Sequence, residues 1–330
     1  MQQLVEGGSR RWGRLPGRPV SVNPLDEYAG IFRSMRRWRL KEWVGFTLVH
    51  PELYSSLIVQ DAAYLASSQI YTAESGVLTE HSRNAAGGSL RPPEVLLAGG
   101  HVEVRKPGYL ISYDFSSDSH TIKIEVDGSA TAATIRGTLI LDATAESAPL
   151  TVSSHLAPPR SDARMFTYKA IFPVYGTLVV GDRTYTFDSA RDLAIIDEHK
   201  SFFPYRTHWR WGTFATMTVE GPVGANFVRR PELPGEPEES CLWVPGSAEP
   251  LADICFERGA DKTWNIASAD GRLDVVFTPE GRKGLKHQLG LAAIDYFQMY
   301  GTYRGVLRGR RRAYDLDGVH GVCESMKARF

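Results

Sequence analysis

Cysteine is scarce in this 330-residue sequence, and neither sign of charge prevails in it. The three cysteines, Cys241, Cys255 and Cys323, are an odd set at no metal-ligand spacing, and two lie inside apolar runs. Reduced core residues are therefore expected, not a disulfide framework or a zinc site. Lys+Arg and Asp+Glu both total 38, which leaves no global field to gather nucleic acid or an anionic membrane. No run approaches the ~20 apolar residues that span a bilayer as a helix. The segment Arg10-Arg11-Trp12-Gly13-Arg14 is basic but lacks the apolar stretch and cleavage site of a secretion signal, so a cytoplasmic location is the default expectation. Gly87-Gly88 and Gly99-Gly100 are not followed by the Lys-Ser/Thr of a phosphate loop, and no Gly-x-Ser-x-Gly elbow is present. His101, His120 and His155 are too scattered to suggest a metal cluster.

What is abundant is turn chemistry, with 31 Gly and 19 Pro, among short β-branched and aromatic runs. In Thr121-Ile122-Lys123-Ile124-Glu125-Val126, alternation with period two places Ile122, Ile124 and Val126 on one face, and Asp127-Gly128 ends the run. Thr138 to Asp142 reads as another strand. Helical periodicity is confined to Tyr28–Leu40, and even there Gly30 and Arg36-Arg37 weaken it. Residues 1–37 read as an extended N-terminal arm, with regular structure starting near Trp38. The length is about twice a ~150-residue domain, so two domains are expected, over 38–200 and 201–330.

An internal repeat supports that division. Trp43-Val-Gly-Phe46 recurs as Trp211-Gly-Thr-Phe214, and Gly137-Thr-Leu-Ile-Leu-Asp142 answers to Gly271-Arg-Leu-Asp-Val-Val276. The hairpin from Tyr175 through Gly181 to Asp188 answers to the one from Tyr303 through Gly309 to Asp317. Each is followed by a last strand bearing an acid, Asp197 in one copy and Glu324 in the other. Two such meanders cannot stay open, because their edges would invite aggregation and one apolar face would stay wet. The expected fold is all-β, two tandem lipocalin-like antiparallel β-barrels from an internal duplication, with a pair of two-layer sandwiches as the alternative.

The stretch Ala194–Trp211 joins the two copies and carries the densest chemistry. Asp197, Glu198, His199 and Lys200 follow an apolar strand, and an aromatic loop with Phe203 and Tyr205 leads to Trp209 and Trp211. On a strand, Trp209 and Trp211 share one face, with His208 and Arg210 on the other. A carboxyl group beside an aromatic wall loses solvation when charged, so its pKa rises and it can donate a proton. Asp197 and Glu198 are equally suited to pairing with Arg206 or Arg210 to fasten the linker, and Glu324 to pairing with an arginine from Arg308–Arg312.

The order Ile196-Asp197-Glu198-His199, followed by His208-Trp209-Arg210-Trp211, resembles the linker motif of the lipocalin-like group that contains carotenoid hydratases and AttH-type proteins, with tocopherol cyclases sharing the architecture. Together with the ending Gly321-Val-Cys-Glu324, it is most similar to the bacterial family catalogued as domain of unknown function 2804. The resemblance covers the chain from Trp38 onward as a pattern of landmarks, and only the linker and the C-terminal hairpin are specific. It implies two calycin barrels and, for the hydratase and cyclase members, acid-initiated addition or cyclisation on isoprenoid double bonds with no metal or redox cofactor. Asp197 falls on the linker aspartate expected to donate the proton. The chain departs from the family's usual His-Glu-aromatic order at Glu198-His199-Lys200.

The expectation is thus a cofactor-independent hydratase, cyclase or isomerase acting on an apolar small molecule, an isoprenoid, steroid or polyketide. Asp197, Glu198 and His199 are its catalytic candidates, and Tyr205, Trp209, Trp211, Tyr113, His50 and Glu324 its binding candidates. Tyr54, Tyr71 and Asp114 are polar or aromatic residues without a supporting motif. The alternatives are a non-catalytic carrier of a hydrophobic ligand, and a protein whose barrels are filled by their own side chains.

Overall fold

Strands make up most of the computed structural model, which describes residues 2–74, 76–158, 161–231, 233–289 and 292–329. The described residues form two large antiparallel sheets and a small two-stranded one. The first large sheet has thirteen strands and curls into a nearly closed barrel, and the second has nine and forms a half-barrel. The tandem all-β architecture is as expected, while the second unit stays more open than a full barrel. Its strand Gly221–Arg229 approaches Ile254–Arg258 across the opening without pairing to it.

The two sheets share a plan. In the first, the strand Leu40–His50 lies between Leu53–Asp61 and Leu193–Phe202. In the second, Arg206–Thr218 lies between Gly221–Arg229 and Ala313–Arg329. Trp43 and Trp211 thus open equivalent strands. The register corrects one correspondence drawn from sequence: Trp43 is paired with His199 and Trp211 with Glu324, so Glu324 matches His199 and not Asp197. The copies also share a glycine kink, Gly176 on Arg164–Val180 and Gly305 on Ala292–Arg308, both at positive φ (131° and 137°). There the long strands bend where a side chain would strike the neighbouring backbone.

Ile122, Ile124 and Val126 are fully buried on one face, as their alternation requires, and join Phe46, Phe166 and Phe172 in the interior of the first barrel. Burying each such side chain contributes about 1.5–3 kcal/mol. A separate core, with Phe214, Phe227, Trp264 and Tyr303, fills the half-barrel. A third joins the sheets and draws on Ile171 and Ile195 from one and Ala215 and Trp243 from the other.

The N-terminal segment holds more regular structure than its composition indicates. Gly13–Arg14 adds a short strand to Leu150–His155, Asn23 caps the 3-10 turn Pro24–Glu27, and a helix spans Gly30–Arg37. A two-residue edge strand is too short to show a periodicity, and this one is held by its backbone bonds and by the Arg14 guanidinium on the carbonyls of Glu238 and Ser240. Cys241 and Cys323 are buried and Cys255 is partly exposed, all as free thiols. Among the described residues, no helix is long and apolar enough to cross a membrane.

Candidate functional site between the two sheets

The strand Leu193–Phe202 has one face toward the interior of the first barrel and the other toward the second sheet. Ala194 and Ile196 belong to the barrel core, whereas Leu193 and Ile195 pack against the second sheet. Alternation then divides the linker cluster. Asp197 and His199 face the second sheet and line a cavity of about 80 Å3 between the sheets. Glu198 points the other way, into the first barrel, where Arg18 from the N-terminal arm holds both its oxygens at 2.6 and 2.8 Å. Lys200 follows Glu198 and bonds the carbonyls of Pro92 and Pro93.

Charge in the cavity is organised around Lys169, a lysine that is 1 % exposed in the middle of the apolar strand Arg164–Val180. Its ammonium lies 2.7 Å from Asp197 Oδ1 and 3.1 Å from Glu239 Oε1, and it sits over the Trp211 ring. Burial works against that ammonium, but the two carboxylates outweigh it and raise the Lys169 pKa. Glu239 also accepts from His199 Nε2 at 3.0 Å. A carboxylate only accepts, so the imidazole carries a proton on Nε2, and Nδ1 faces Ser201 Oγ at 3.4 Å. Burial alone would raise the Glu239 carboxyl, yet His199, Lys169 and Arg230 hold it far below the usual carboxylate range. Ser201, His199 and Glu239 stand in triad order, but Ser201 is fully buried and absent from the cavity wall, so its hydroxyl cannot meet a ligand.

The opposite wall carries Glu324. Trp209 Nε1 donates to its Oε1 at 2.9 Å, and Tyr296 Oη and Gln298 Nε2 lie 3.0 and 3.1 Å from its Oε2. Burial raises the Glu324 pKa, the negative charge of Asp197 adds to this, and the three hydrogen bonds offset it only in part. Behind it, Tyr71 of the first sheet donates to Gln298 Oε1 at 2.6 Å, tying the acid to both sheets.

Aromatic rings bridge the two walls. His199 stacks on Trp43 at 4.4 Å between centroids, Trp43 on Phe203 at 6.1 Å, and Phe203 on Trp209 at 5.4 Å. Trp209 and Trp211 do share a face, with His208 and Arg210 on the other. That other face lines a second chamber, of about 910 Å3, in the half-barrel. The two cavities share His208, Trp209, Arg230 and Pro231 as common wall.

Of the residues singled out from sequence, Asp197, His199, Trp209, Trp211 and Glu324 therefore meet in one place. Four do not line it. Glu198 faces the first barrel. Tyr113 is wholly buried in that barrel's core. His50 packs against Tyr185 and Phe187 at 5.8 and 5.1 Å and meets Arg191 at 3.2 Å. Tyr205 sits half exposed on the linker beside the cavity-lining Pro204. Lys169, Glu239, Tyr296 and Gln298 carried no motif. The lysine left one trace, a lone charge in the run Met165-Phe-Thr-Tyr-Lys169-Ala-Ile-Phe172. Among the described residues no group of His, Cys, Asp and Glu forms a metal site.

Residues 11–330 match the family described as domain of unknown function (DUF2804), and the chain belongs to that family. No curated protein matches it. Among solved structures it is similar to CghA with Sch210972, at 12% identity over 89% of each chain with a TM-score of 0.49. It is also similar to kievitone hydratase from Nectria haematococca, at 9% identity over 88% of each chain with a TM-score of 0.44.

Proposed function

We propose that this member of the DUF2804 family is a hydratase- or cyclase-type enzyme that works by general acid–base catalysis on a small, largely apolar molecule. The observation that carries this reading is the divergence of two carboxyl groups on one cavity: Glu324 is pushed toward its neutral acid form and Glu239 toward its anion. A carboxyl group held neutral on a cavity wall beside one held as an anion supplies a proton donor and a fixed negative charge.

In this reading Glu324 takes the part of proton donor that the sequence assigned to Asp197. Asp197, 2.7 Å from the Lys169 ammonium and on the same cavity, is placed to orient an attacking water by accepting its hydrogen bond. Glu239 orients His199 and fixes which nitrogen carries its proton. Positive charge that develops on the substrate is stabilised by the Trp209 ring, which contributes about 0.5–2 kcal/mol. The small cavity admits a few waters, at ~10–15 Å3 each, or the reacting end of a ligand. The rest of the molecule would lie in the larger adjoining chamber. Isoprenoid, steroid and polyketide skeletons all fit this description, and no metal or redox cofactor is invoked.

The test compares wild type with Glu324→Gln, expressed in the same host, by native mass spectrometry and organic extraction of whatever co-purifies. Catalysis predicts that the variant retains a precursor of the wild-type ligand, differing by one water or isomeric with it. An identical ligand in both would sink the enzyme reading and leave a carrier.

A further inference from the structure

The larger chamber has a chemical character that the acid site does not explain. On four strands of the half-barrel, the residue two places beyond an interior position at the same end is a cation or leads to one. Phe227 is followed by Arg229 and Phe256 by Arg258; Cys323 is followed by Ser325 and Lys327; Arg210 precedes Gly212 and Phe214. Phe227, Phe256, Phe214 and Cys323 all belong to the half-barrel core. Period-two alternation therefore brings Arg210, Arg229, Arg258 and Lys327 to the chamber wall above that core.

No carboxylate is among the described residues of this wall, and among the described residues none of these four cations is in an ion pair. Arg230, on the shared side of the wall, differs in being held by Glu238 and Glu239 at 3.6 and 3.9 Å. Two of the guanidinium groups, Arg210 and Arg258, instead lie over the Trp264 ring, at 5.3 and 5.2 Å from its centroid. Arg229 reaches only the Cys255 sulfur, at 3.7 Å. All four are exposed, so solvent screens much of their mutual repulsion, and what an anion among them gains is the directed donors of the guanidinium forks. Phe297, under the Arg282 guanidinium, and Trp264, 6 % exposed, add apolar surface to the same wall.

We infer that the half-barrel chamber binds a small organic anion, a carboxylate, sulfonate or phosphate attached to a flat apolar body. The anionic group is held by Arg229 and Arg258, and the body lies along Trp264 toward Trp209. The inference rests on the proposed function only in calling this ligand the substrate, whose reacting end would then extend past Trp209 to Glu324.

The test is a fluorescence titration with 8-anilino-1-naphthalenesulfonate, an aromatic anion, beside its neutral relative N-phenyl-1-naphthylamine. Wild type, the exposed double variant Arg229→Gln/Arg258→Gln and Glu324→Gln are compared, with thermal melts to confirm that each folds. The double variant is expected to lose about tenfold or more in affinity for the sulfonate and less than about twofold for the neutral probe. Glu324→Gln reads the acid site, through the ligand it retains, and the double variant reads the anion site, through the sulfonate, so a failed acid site and a failed anion site give different results. Absence of saturable sulfonate binding to wild type, or equal losses for both probes, overturns the inference. Displacement of the sulfonate by an equal concentration of single-stranded oligonucleotide also overturns it, in favour of a nucleic-acid surface.

Discussion

His199 and Glu324 stand at matching points of the two halves, each directly across from the tryptophan of its own repeat, and both reach the same cavity. Duplication placed two copies of one strand position on facing sheets. The different side chains at these matching positions give the cavity an imidazole on one wall and a carboxyl group on the other. The same seam brings Lys169 and Glu239 beside His199, from strands and loops far away in the chain.

The raised Glu324 pKa has a consequence for stability that Glu324→Gln isolates. A carboxyl group whose folded pKa lies above its ordinary value of 4.5 favours the fold while protonated, and that contribution is lost as the pH rises through the folded value. The amide cannot ionise. Thermal melts should show the variant gaining on wild type as the pH rises from about 4 to about 8. A difference that is flat across that window would contradict the burial argument.

Lys169→Met removes the cation shared by Asp197 and Glu239 and leaves two carboxylates close together in the seam. Breaking a buried pair on one side costs about 3–5 kcal/mol, because the remaining charge is left uncompensated. Urea unfolding should register a loss of that order near neutral pH. The loss should shrink in acid as the carboxylates protonate.

The Arg18–Glu198 pair, with side chains 2 % and 0 % exposed, is a structural lock between the arm and the first barrel. Arg18→Met should destabilise the fold by a similar ~3–5 kcal/mol. Arg18→Met/Glu198→Met, which removes both charges, should recover most of that loss and leave acid–base chemistry at Glu324 within about twofold of wild type. Loss of turnover in the folded double variant would place Glu198 in the mechanism after all.

Gly176 and Gly305 should behave alike on substitution. A Cβ at either would lie 2.3 Å from a carbonyl oxygen of the paired strand, that of Thr138 or Asp274, and φ is positive at both. Gly176→Ala and Gly305→Ala are each expected to cost at least ~1–3 kcal/mol by urea titration. An exposed glycine with open space around it, such as Gly235, should be milder, with only its positive φ as a penalty.

The fold and half of the site were legible because both depend on local pattern. Ile122, Ile124 and Val126 announce a strand and its buried side, and Trp209 with Trp211 announce a shared face. The same rule, applied across Asp197-Glu198-His199, puts Glu198 on the face opposite its neighbours, so the three cannot act as one cluster. Tyr113 and His50 stand out by residue type alone, and residue type does not distinguish a barrel core from a cavity wall. Glu239 lies in the run Pro234-Gly-Glu-Pro-Glu-Glu239, where nothing separates it from the acids beside it.

By itself, then, the sequence determined the all-β class, the duplication and the side of its strand on which each residue of the linker falls, since these follow from alternation and turn chemistry over a few residues. Only the tertiary structure decided that the outer faces of the two sheets would meet at Asp197 and Glu324, that Lys169 would hold two carboxylates at once, and that Glu324 would be pushed toward its acid form. Those outcomes depend on desolvation and on charges and donors brought together through space, as Trp209 is brought to Glu324 across 115 positions of chain. No local pattern encodes a distance of that kind.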